Sequence, residues 1–340
     1  MKNEIFQHLN TFLEKKVDPE SNILDKDFRL LQEVFHKLIQ YKCLLFFIPK
    51  EYGGLGLSRK ELIELYMTIS KYSGVLTFLQ SQHQSSVNYI LKVKERDKAS
   101  SLLKHIAENN MPIGYASIVR MNLIKATRKG SGYVLNGYIP WVTGYKIFEK
   151  FLLIFNINGR TRLCLVPFDN IKSDQGNLKI SAPVDIIVFQ SSNTVRIDFN
   201  DYFIEEKEMM TFDDTKFGDY SIEHPTIFNF ASAANRLLTF VERSNTTLKP
   251  KVKAGYDKLE GLLNDYLKGL ESPIDNPLEY RAKGYFLAEK CSQFARLSLG
   301  GKTLLSDHPV QRICREIWQY AIAGYSEPQL ESYINKIMEE

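Results

Sequence analysis

Trp141 and Thr143 are the residues whose types and spacing most clearly offer chemistry, within Tyr133-Val-Leu-Asn-Gly-Tyr-Ile-Pro-Trp-Val-Thr-Gly144. Side chains two positions apart on a β-strand point to the same face, so an aromatic ring and a hydroxyl would share one surface. That pair is a candidate ligand site. A core aromatic beside a hydrogen-bonded threonine accounts for it more simply, and the residues alone favour that interpretation.

Two other features resemble functional sites but have weaker support. His83 lies among glutamines on a predicted helix, with no second histidine or carboxylate at metal-ligand spacing, so a surface or packing role is favoured and no metal site is predicted. The glycine-rich segment Tyr52-Gly-Gly-Leu-Gly56 lacks the preceding strand and the following Lys-Ser/Thr of a phosphate-binding loop. It therefore predicts a structural turn.

The composition is that of an ordinary globular protein. The chain has 340 residues, a net charge of +4 and scattered basic residues, a pattern that does not indicate a nucleic-acid partner. No stretch has the apolar length of a membrane span, and the N-terminus has no apolar leader-like region. The four cysteines have no paired spacing and three have apolar neighbours, which predicts reduced thiols and a soluble cytoplasmic protein.

Hydrophobic periodicity predicts three successive regions. Residues 1–110 have helical spacing, with a capping box at Ser58 and Glu61. Residues 111–220 change to short alternating strands, consistent with a small β-barrel or two packed sheets. Residues 221–340 return to helices and predict a C-terminal bundle, with Gly300-Gly301 ending one of them. The predicted fold is therefore α+β and multi-domain.

Within the central region, Asn136-Gly137 is the strongest local turn signal. Both residues of a tight hairpin turn take positive φ, and Asn-Gly between β-forming residues is typical of that turn. We therefore expect a hairpin with Tyr133 to Leu135 and Ile139 to Thr143 as its two arms.

Four motifs in order resemble the acyl-CoA dehydrogenase superfamily, discontinuously over about residues 45 to 320. Tyr133 to Gly144 is similar to the family's Y-x-L-N-G-x-K-x-W-I-T-N-G signature. The family's early loop is similar to Ile48-Pro-Lys-Glu-Tyr-Gly-Gly-Leu-Gly-Leu-Ser58. The strand that ends the family's β domain is similar to Ser191-Ser-Asn-Thr-Val-Arg-Ile-Asp-Phe199. The family's C-terminal motif G-G … P-x-x-R-x-x-R-D is similar to three segments of this chain, Gly300-Gly301, Pro309-Val-Gln-Arg312 and Arg315-Glu316.

The resemblance implies a helical domain, a β domain and a four-helix bundle with FAD bound between the last two. It implies a homodimer or homotetramer in which the partner chain completes the flavin site. It also implies that Trp141, Val142 and Thr143 contact the isoalloxazine ring, where a hydroxyl near N5 would tune electron affinity. The resemblance further implies that the cofactor is bound by Tyr115, Ser117, Gly300 and Gly301.

The departures from the family concern the catalytic base. Family members remove the substrate's α-proton with a glutamate after the Arg-Asp motif, and that place falls at Ala323-Gly-Tyr-Ser326, which has no carboxylate. The family's alternative position corresponds to Phe228 to Ala234, which has no acid either. Glu327 is the remaining candidate. The family's T-E-P-x-x-G-S-D and R-x-x-F-G motifs also have no clear counterpart.

Three functions stay open at this point. The first is an FAD-dependent oxidoreductase acting on CH–CH groups, with a small-molecule substrate such as an acyl-CoA thioester. The second is a flavin-dependent monooxygenase of the same superfamily, a branch that also lacks the glutamate. The third is a catalytically degenerate member that keeps the fold for binding or assembly, because fold alone does not fix chemistry.

Overall fold

The computed structural model describes residues 2–116, 122–174, 176–213, 226–244, 249–272, 274–322 and 327–339. Within these ranges the predicted order of helices, strands and helices is confirmed. No helix in the described ranges is long and apolar enough to span a bilayer.

The N-terminal part is built from six α-helices, and the fifth of them is buried at its centre. The helices are α1 Lys2–Phe12, continued by a π-helical turn Leu13–Val17, α2 Ser21–Leu24, α3 Phe28–Gln40, α4 Arg59–Ser70, α5 Gly74–Leu91 and α6 Arg96–Asn109. Helix α5 is buried on nearly all sides. The predicted capping box begins α4, with the Glu61 N–H donating to Ser58 Oγ (3.3 Å) and the Ser58 N–H to Glu61 Oε2 (2.7 Å).

The strands of the described residues form two sheets. One has the order β1-β4-β5-β9 and the other β2-β3-β8-β7-β6. The two sheets are linked where Ala116, just after β1, bridges Val142 at the end of β3. The strands are β1 Ile113–Tyr115, β2 Ile124–Lys129, β3 Gly132–Val142, β4 Lys150–Ile157, β5 Arg160–Pro167, β6 Ile171–Ser173, β7 Gly176–Ile180, β8 Val195–Glu205 and β9 Met210–Thr211.

The hairpin predicted at Asn136-Gly137 is wrong. Strand β3 runs unbroken through both residues, and the turn lies earlier, between the paired residues Lys129 and Gly132. The β3–β8 register shifts between Leu135 and Gly137, and Gly137 has φ +130°. The Asn136 side chain donates to Asp201 Oδ1 (3.0 Å) on β8. Asn136-Gly137 therefore marks a β-bulge, because residues that readily adopt positive φ are favoured in bulges as well as in tight turns.

Five helices make up the C-terminal part of the described chain: α7 Thr226–Glu242, α8 Lys249–Gly269, α9 Pro277–Leu299, α10 Pro309–Ile322 and α11 Glu327–Glu339. Helix α7 packs against α8, α9 and α10, and also against α4 and α5 of the N-terminal part. The side chain of Asn276 caps α9 by accepting the Glu279 N–H (3.2 Å), and Gly300 ends that helix. The boundaries 1–110, 111–220 and 221–340 stay a prediction.

Candidate functional site

The signature residues lie at the end of β3, just after an irregular step in the strand. The β3–β8 register shifts between Ile139 and Val142, and Pro140 lies inside that shift. Proline has no N–H for a sheet ladder, so it is tolerated where pairing is interrupted. After the shift, Trp141 is 45% exposed whereas Thr143 is 6% exposed and Val142 is fully buried. An uncovered indole therefore stands beside a buried hydroxyl.

A chain of three hydroxyls begins at Thr143. Its Oγ1 lies 3.0 Å from Thr194 Oγ1, which lies 3.2 Å from Ser192 Oγ. The main chain fixes the same region, because the Gly144 N–H donates to the Ser192 carbonyl oxygen (2.9 Å). Gly144 has φ +91°, and a Cβ there would overlap the Phe148 ring, so only glycine fits. Three hydroxyls carry three protons and need two for their mutual bonds, which leaves one to donate elsewhere.

The structure also brings Tyr115 to this strand end. Tyr115 ends β1, and the adjacent Ala116 bridges Val142. The Tyr115 ring stacks on Tyr89 of α5, with ring centroids 5.4 Å apart and planes 5° apart. Tyr115 and the residues Trp141 to Thr143 thus lie on either side of the Ala116–Val142 bridge. Ser117 lies outside the described residues.

The other predicted site residues lie elsewhere in the fold. Gly300 and Gly301 are exposed at the end of α9, and a Cβ on either would meet no atom within 4 Å. Glu327 is exposed in the first turn of α11. Ala323 to Ser326, where the family's glutamate would fall, lie outside the described residues.

A buried charge cluster, which sequence reasoning missed, lies where the helical parts meet. Arg236 of α7 pairs with Glu316 of α10, and the two side chains are 1% and 0% exposed. Arg312 Nε lies 3.4 Å from Glu316 Oε1. Gly74, the first residue of α5, lies so close to the Glu316 carboxylate that a Cβ would overlap it. We name Asp25, Arg236, Arg312 and Glu316 the buried charge cluster.

The electrostatics of this cluster follow from burial and mutual charge. Burial raises the pKa of Asp25 to about 6, and the Glu316 charge adds to that effect. Burial also lowers the pKa of Arg312, in spite of the neighbouring Glu316. For Arg236, burial opposes the charged form, but the Glu316 carboxylate raises the pKa overall. The Arg312 and Glu316 positions belong to the P-x-x-R-x-x-R-D-like motif, and this was the available signal.

His83 has a packing role. Its ring is fully buried on α5, with Nε2 2.9 Å from the Leu44 carbonyl oxygen and Nδ1 accepting the Ile113 N–H at 3.2 Å. Burial lowers its pKa to about 4, so it is neutral. Among the described residues, no group of three or more His, Cys, Asp or Glu side chains could hold a metal ion.

A groove of ≈ 590 Å³ lies between α3, the end of α6 and the segments around Lys146 and Phe168. None of the predicted site residues within the described ranges lines it. The strand end of β3 therefore lies outside this groove.

Comparisons with known proteins point to one family. Residues 2–109 match the family described as Acyl-CoA dehydrogenase, N-terminal domain. Isovaleryl-CoA dehydrogenase, mitochondrial, of Pongo abelii is 25% identical over 215 residues, covering 58% of this chain and 50% of that protein. The chain spans half or less of the length of the curated relatives it matches.

Solved structures show the same fold over the whole chain. The glutaryl-coenzyme A dehydrogenase–glutaryl-CoA complex superposes with a TM-score of 0.77 at 13% identity, covering 99% of this chain and 95% of that one. The complex of TdsC from Paenibacillus sp. A11-2, a dibenzothiophene monooxygenase, with FMN and indole superposes with a TM-score of 0.72 at 14% identity. It covers 99% of this chain and 96% of that one. At these identities the likeness concerns the fold.

Proposed function

We propose that this chain, a divergent member of the acyl-CoA dehydrogenase superfamily, binds a flavin, specifically FAD, and catalyses oxidation–reduction at a CH–CH group. The observation that carries the proposal is the retained strand end, where Trp141 is uncovered beside the buried hydroxyl of Thr143. FAD would supply the hydride acceptor for such chemistry. The substrate class is a small molecule, with acyl-CoA thioesters as the first candidates.

The residues at the strand end fit a flavin ring. Trp141 offers an exposed aromatic face, and stacking between flat rings is favourable. When Ser192 donates to Thr194 and Thr194 donates to Thr143, the Thr143 proton is free to bond a ring nitrogen. Val142 is buried behind them and holds the strand against β8 and Ala116.

Glu327 is the proposed catalytic base, although its side chain is exposed in the first turn of α11. The two acids of the buried charge cluster, Asp25 and Glu316, cannot replace it, because their side chains are 2% and 0% exposed. Glu316 is fully buried and paired with Arg236, so it cannot reach a substrate.

Flavin-dependent monooxygenation is the second candidate function, because the sequence has no acid at either position where the family places its glutamate. In that reaction reduced flavin and oxygen do the chemistry, and no side chain must remove an α-proton. TdsC, which shares the fold, was solved with FMN. FMN in place of FAD is accordingly the alternative cofactor.

We also propose that the chain forms a homodimer or homotetramer. Large apolar side chains are exposed at the end of α9, just after it and along α10, namely Leu297, Leu304, Leu305, Trp318 and Ile322. Uncovered apolar groups of this kind mark interaction surfaces, and the neighbouring glycines of the G-G motif have open space above them. A Leu304→Glu, Leu305→Glu variant should sediment as a smaller species than wild type; an unchanged mass would argue against this face.

For its place in the cell we propose the cytoplasm. All four cysteines are buried and unpaired, as a reducing compartment allows.

Anaerobic reduction of the flavin-loaded protein distinguishes the functions. Bleaching of the flavin by an acyl-CoA would select the dehydrogenase. Bleaching by NAD(P)H or a reductase alone, followed by oxygen consumption with substrate, would select the monooxygenase. A protein that keeps no flavin would serve binding or assembly instead.

A further inference from the structure

The segment from Ile187 to Thr194, which leads into β8, carries an unusual backbone. Phe189 has φ +53° and Asn193 has φ +46°, both in the left-handed region. Asparagine tolerates that region, but a bulky aromatic residue rarely adopts it and does so only where the surroundings impose it. Phe189 is buried, stacks on Phe78 of α5 (centroids 4.7 Å apart) and lies against Tyr320 of α10 (5.7 Å).

Both helical parts bind the first half of this segment. Ser191 Oγ donates to the Leu24 carbonyl oxygen (2.6 Å), and the Ser191 N–H donates to the Asp25 carbonyl oxygen (3.0 Å). From the C-terminal side, Arg315 Nε donates to the Ile187 carbonyl oxygen (2.9 Å). Arg312 of the buried charge cluster in turn donates to the Ser21 carbonyl oxygen, which ties α10 to the same N-terminal turn.

The second half of the segment binds the end of β3. The Gly144 N–H donates to the Ser192 carbonyl oxygen (2.9 Å), and the Tyr145 N–H donates to the Asn193 carbonyl oxygen (3.2 Å). Thr194 and Ser192 hold the Thr143 hydroxyl through the chain of three hydroxyls. The segment is therefore a continuous connection from the helical parts to the hydroxyl.

We infer that residues 187–194 act as a clamp in which Ser191 and Arg315 are positioning residues that fix Thr143 for its ligand. The contacts on either side of the clamp hold Phe189 in its strained conformation. These contacts also explain why a residue with a strained backbone, Phe189, lies so close to the chain of three hydroxyls. The inference rests on the proposed function only for the identity of the ligand at Thr143.

The test measures hydrogen exchange at the Gly144 and Tyr145 amides, by mass spectrometry of peptides covering residues 141–148, in the protein without added flavin. Ser191→Ala removes one buried hydrogen bond and leaves the Leu24 carbonyl oxygen without its partner. Loss of a bond of that kind should speed exchange there about tenfold or more. Arg315→Gln should produce a smaller acceleration at the same amides, because its contact is more exposed.

Ser70→Ala is the matched control. Ser70 is also fully buried and also donates to a main-chain carbonyl oxygen, that of Met67 (2.9 Å), but it lies in α4 away from the clamp. A local acceleration at 141–148 in Ser191→Ala and not in Ser70→Ala supports the clamp. Unchanged exchange at residues 141–148 in Ser191→Ala would overturn the clamp. Equal acceleration in peptides of β4 would also overturn it, because a general acceleration indicates a merely structural role for Ser191.

A second measurement separates this inference from the proposed function. In a chain that binds flavin, Ser191→Ala should shift the visible flavin bands and weaken flavin affinity several-fold. A wild-type chain that binds no flavin would refute the proposed function, while the exchange experiment would still decide whether the clamp exists.

Discussion

The sharpest stability prediction concerns Glu316→Gln in the buried charge cluster. Glu316 and Arg236 are 0% and 1% exposed, and Arg312 lies on the other side of the carboxylate. The substitution would keep the shape of the side chain but remove the only charge that both guanidiniums contact directly within the described cluster. Removing one partner of a buried ion pair costs about 3–5 kcal/mol, because the remaining charge stays desolvated.

The assay is urea denaturation followed by far-ultraviolet circular dichroism, reading the first cooperative transition. A loss of about 3 kcal/mol changes the folded-to-unfolded ratio by a factor of about 100 or more. The double variant Arg236→Met, Glu316→Leu should lose less than the single variant, because it leaves one buried guanidinium, that of Arg312, without the carboxylate instead of two. Arg236→Met and Glu316→Leu measured singly complete a double-mutant cycle, from which the coupling between the two residues follows.

Glu279→Gln is the matched control for this prediction. Glu279 pairs with Lys283 at 2.9 Å one turn along α9, but both side chains are about half exposed (53%). The same substitution should therefore leave the transition close to that of wild type. A Glu316→Gln protein that unfolds within about 1 kcal/mol of wild type would refute the reasoning.

Three further predictions concern the site and pH. Trp141→Ala combined with Thr143→Ala should weaken flavin affinity about tenfold or more, through lost stacking and a lost hydrogen bond; titration of the apoprotein checks this, and unchanged affinity would contradict the carry-over of the signature. Glu327→Gln should abolish flavin bleaching by substrate while leaving flavin bound, as stopped-flow absorbance would show; undiminished bleaching would remove Glu327 from the mechanism. Burial lowers the pKa of His83 from 6.5 to about 4, so the stability that neutral His83 contributes is complete above pH 6.5 and declines as pH falls towards 4. The urea denaturation midpoint should therefore fall less steeply over this pH range in His83→Gln than in wild type. Parallel curves would contradict a buried, neutral His83.

The helices and the order of regions could be predicted because their signals are local. The capping box at Ser58 and the stop at Gly300 each lie within a few residues of the helix end that they mark. The hairpin at Asn136-Gly137 was wrong for the complementary reason. Whether a permissive dipeptide becomes a turn or a bulge depends on which strand pairs across it, and β8 lies far later in the chain.

Apart from the motif that contains Arg312 and Glu316, the buried charge cluster and the clamp had no signal in the sequence. Asp25, Arg236 and Glu316 come from segments far apart in the chain, and charged residues are exposed in most proteins, so their burial follows only from tertiary packing. Likewise, nothing in the residues around Phe189 predicts a left-handed aromatic. The Trp141 and Thr143 pair could be singled out as a candidate from the sequence, but the difference in their burial depends on the irregular step at Pro140.

The measurement that tests the central claim most directly is the visible absorption spectrum of the purified protein, before and after incubation with excess FAD and desalting. The proposed function predicts a retained flavin band with about one flavin per chain, which Trp141→Ala, Thr143→Ala should reduce. A protein that retains no flavin after reconstitution with either FAD or FMN would contradict the claim.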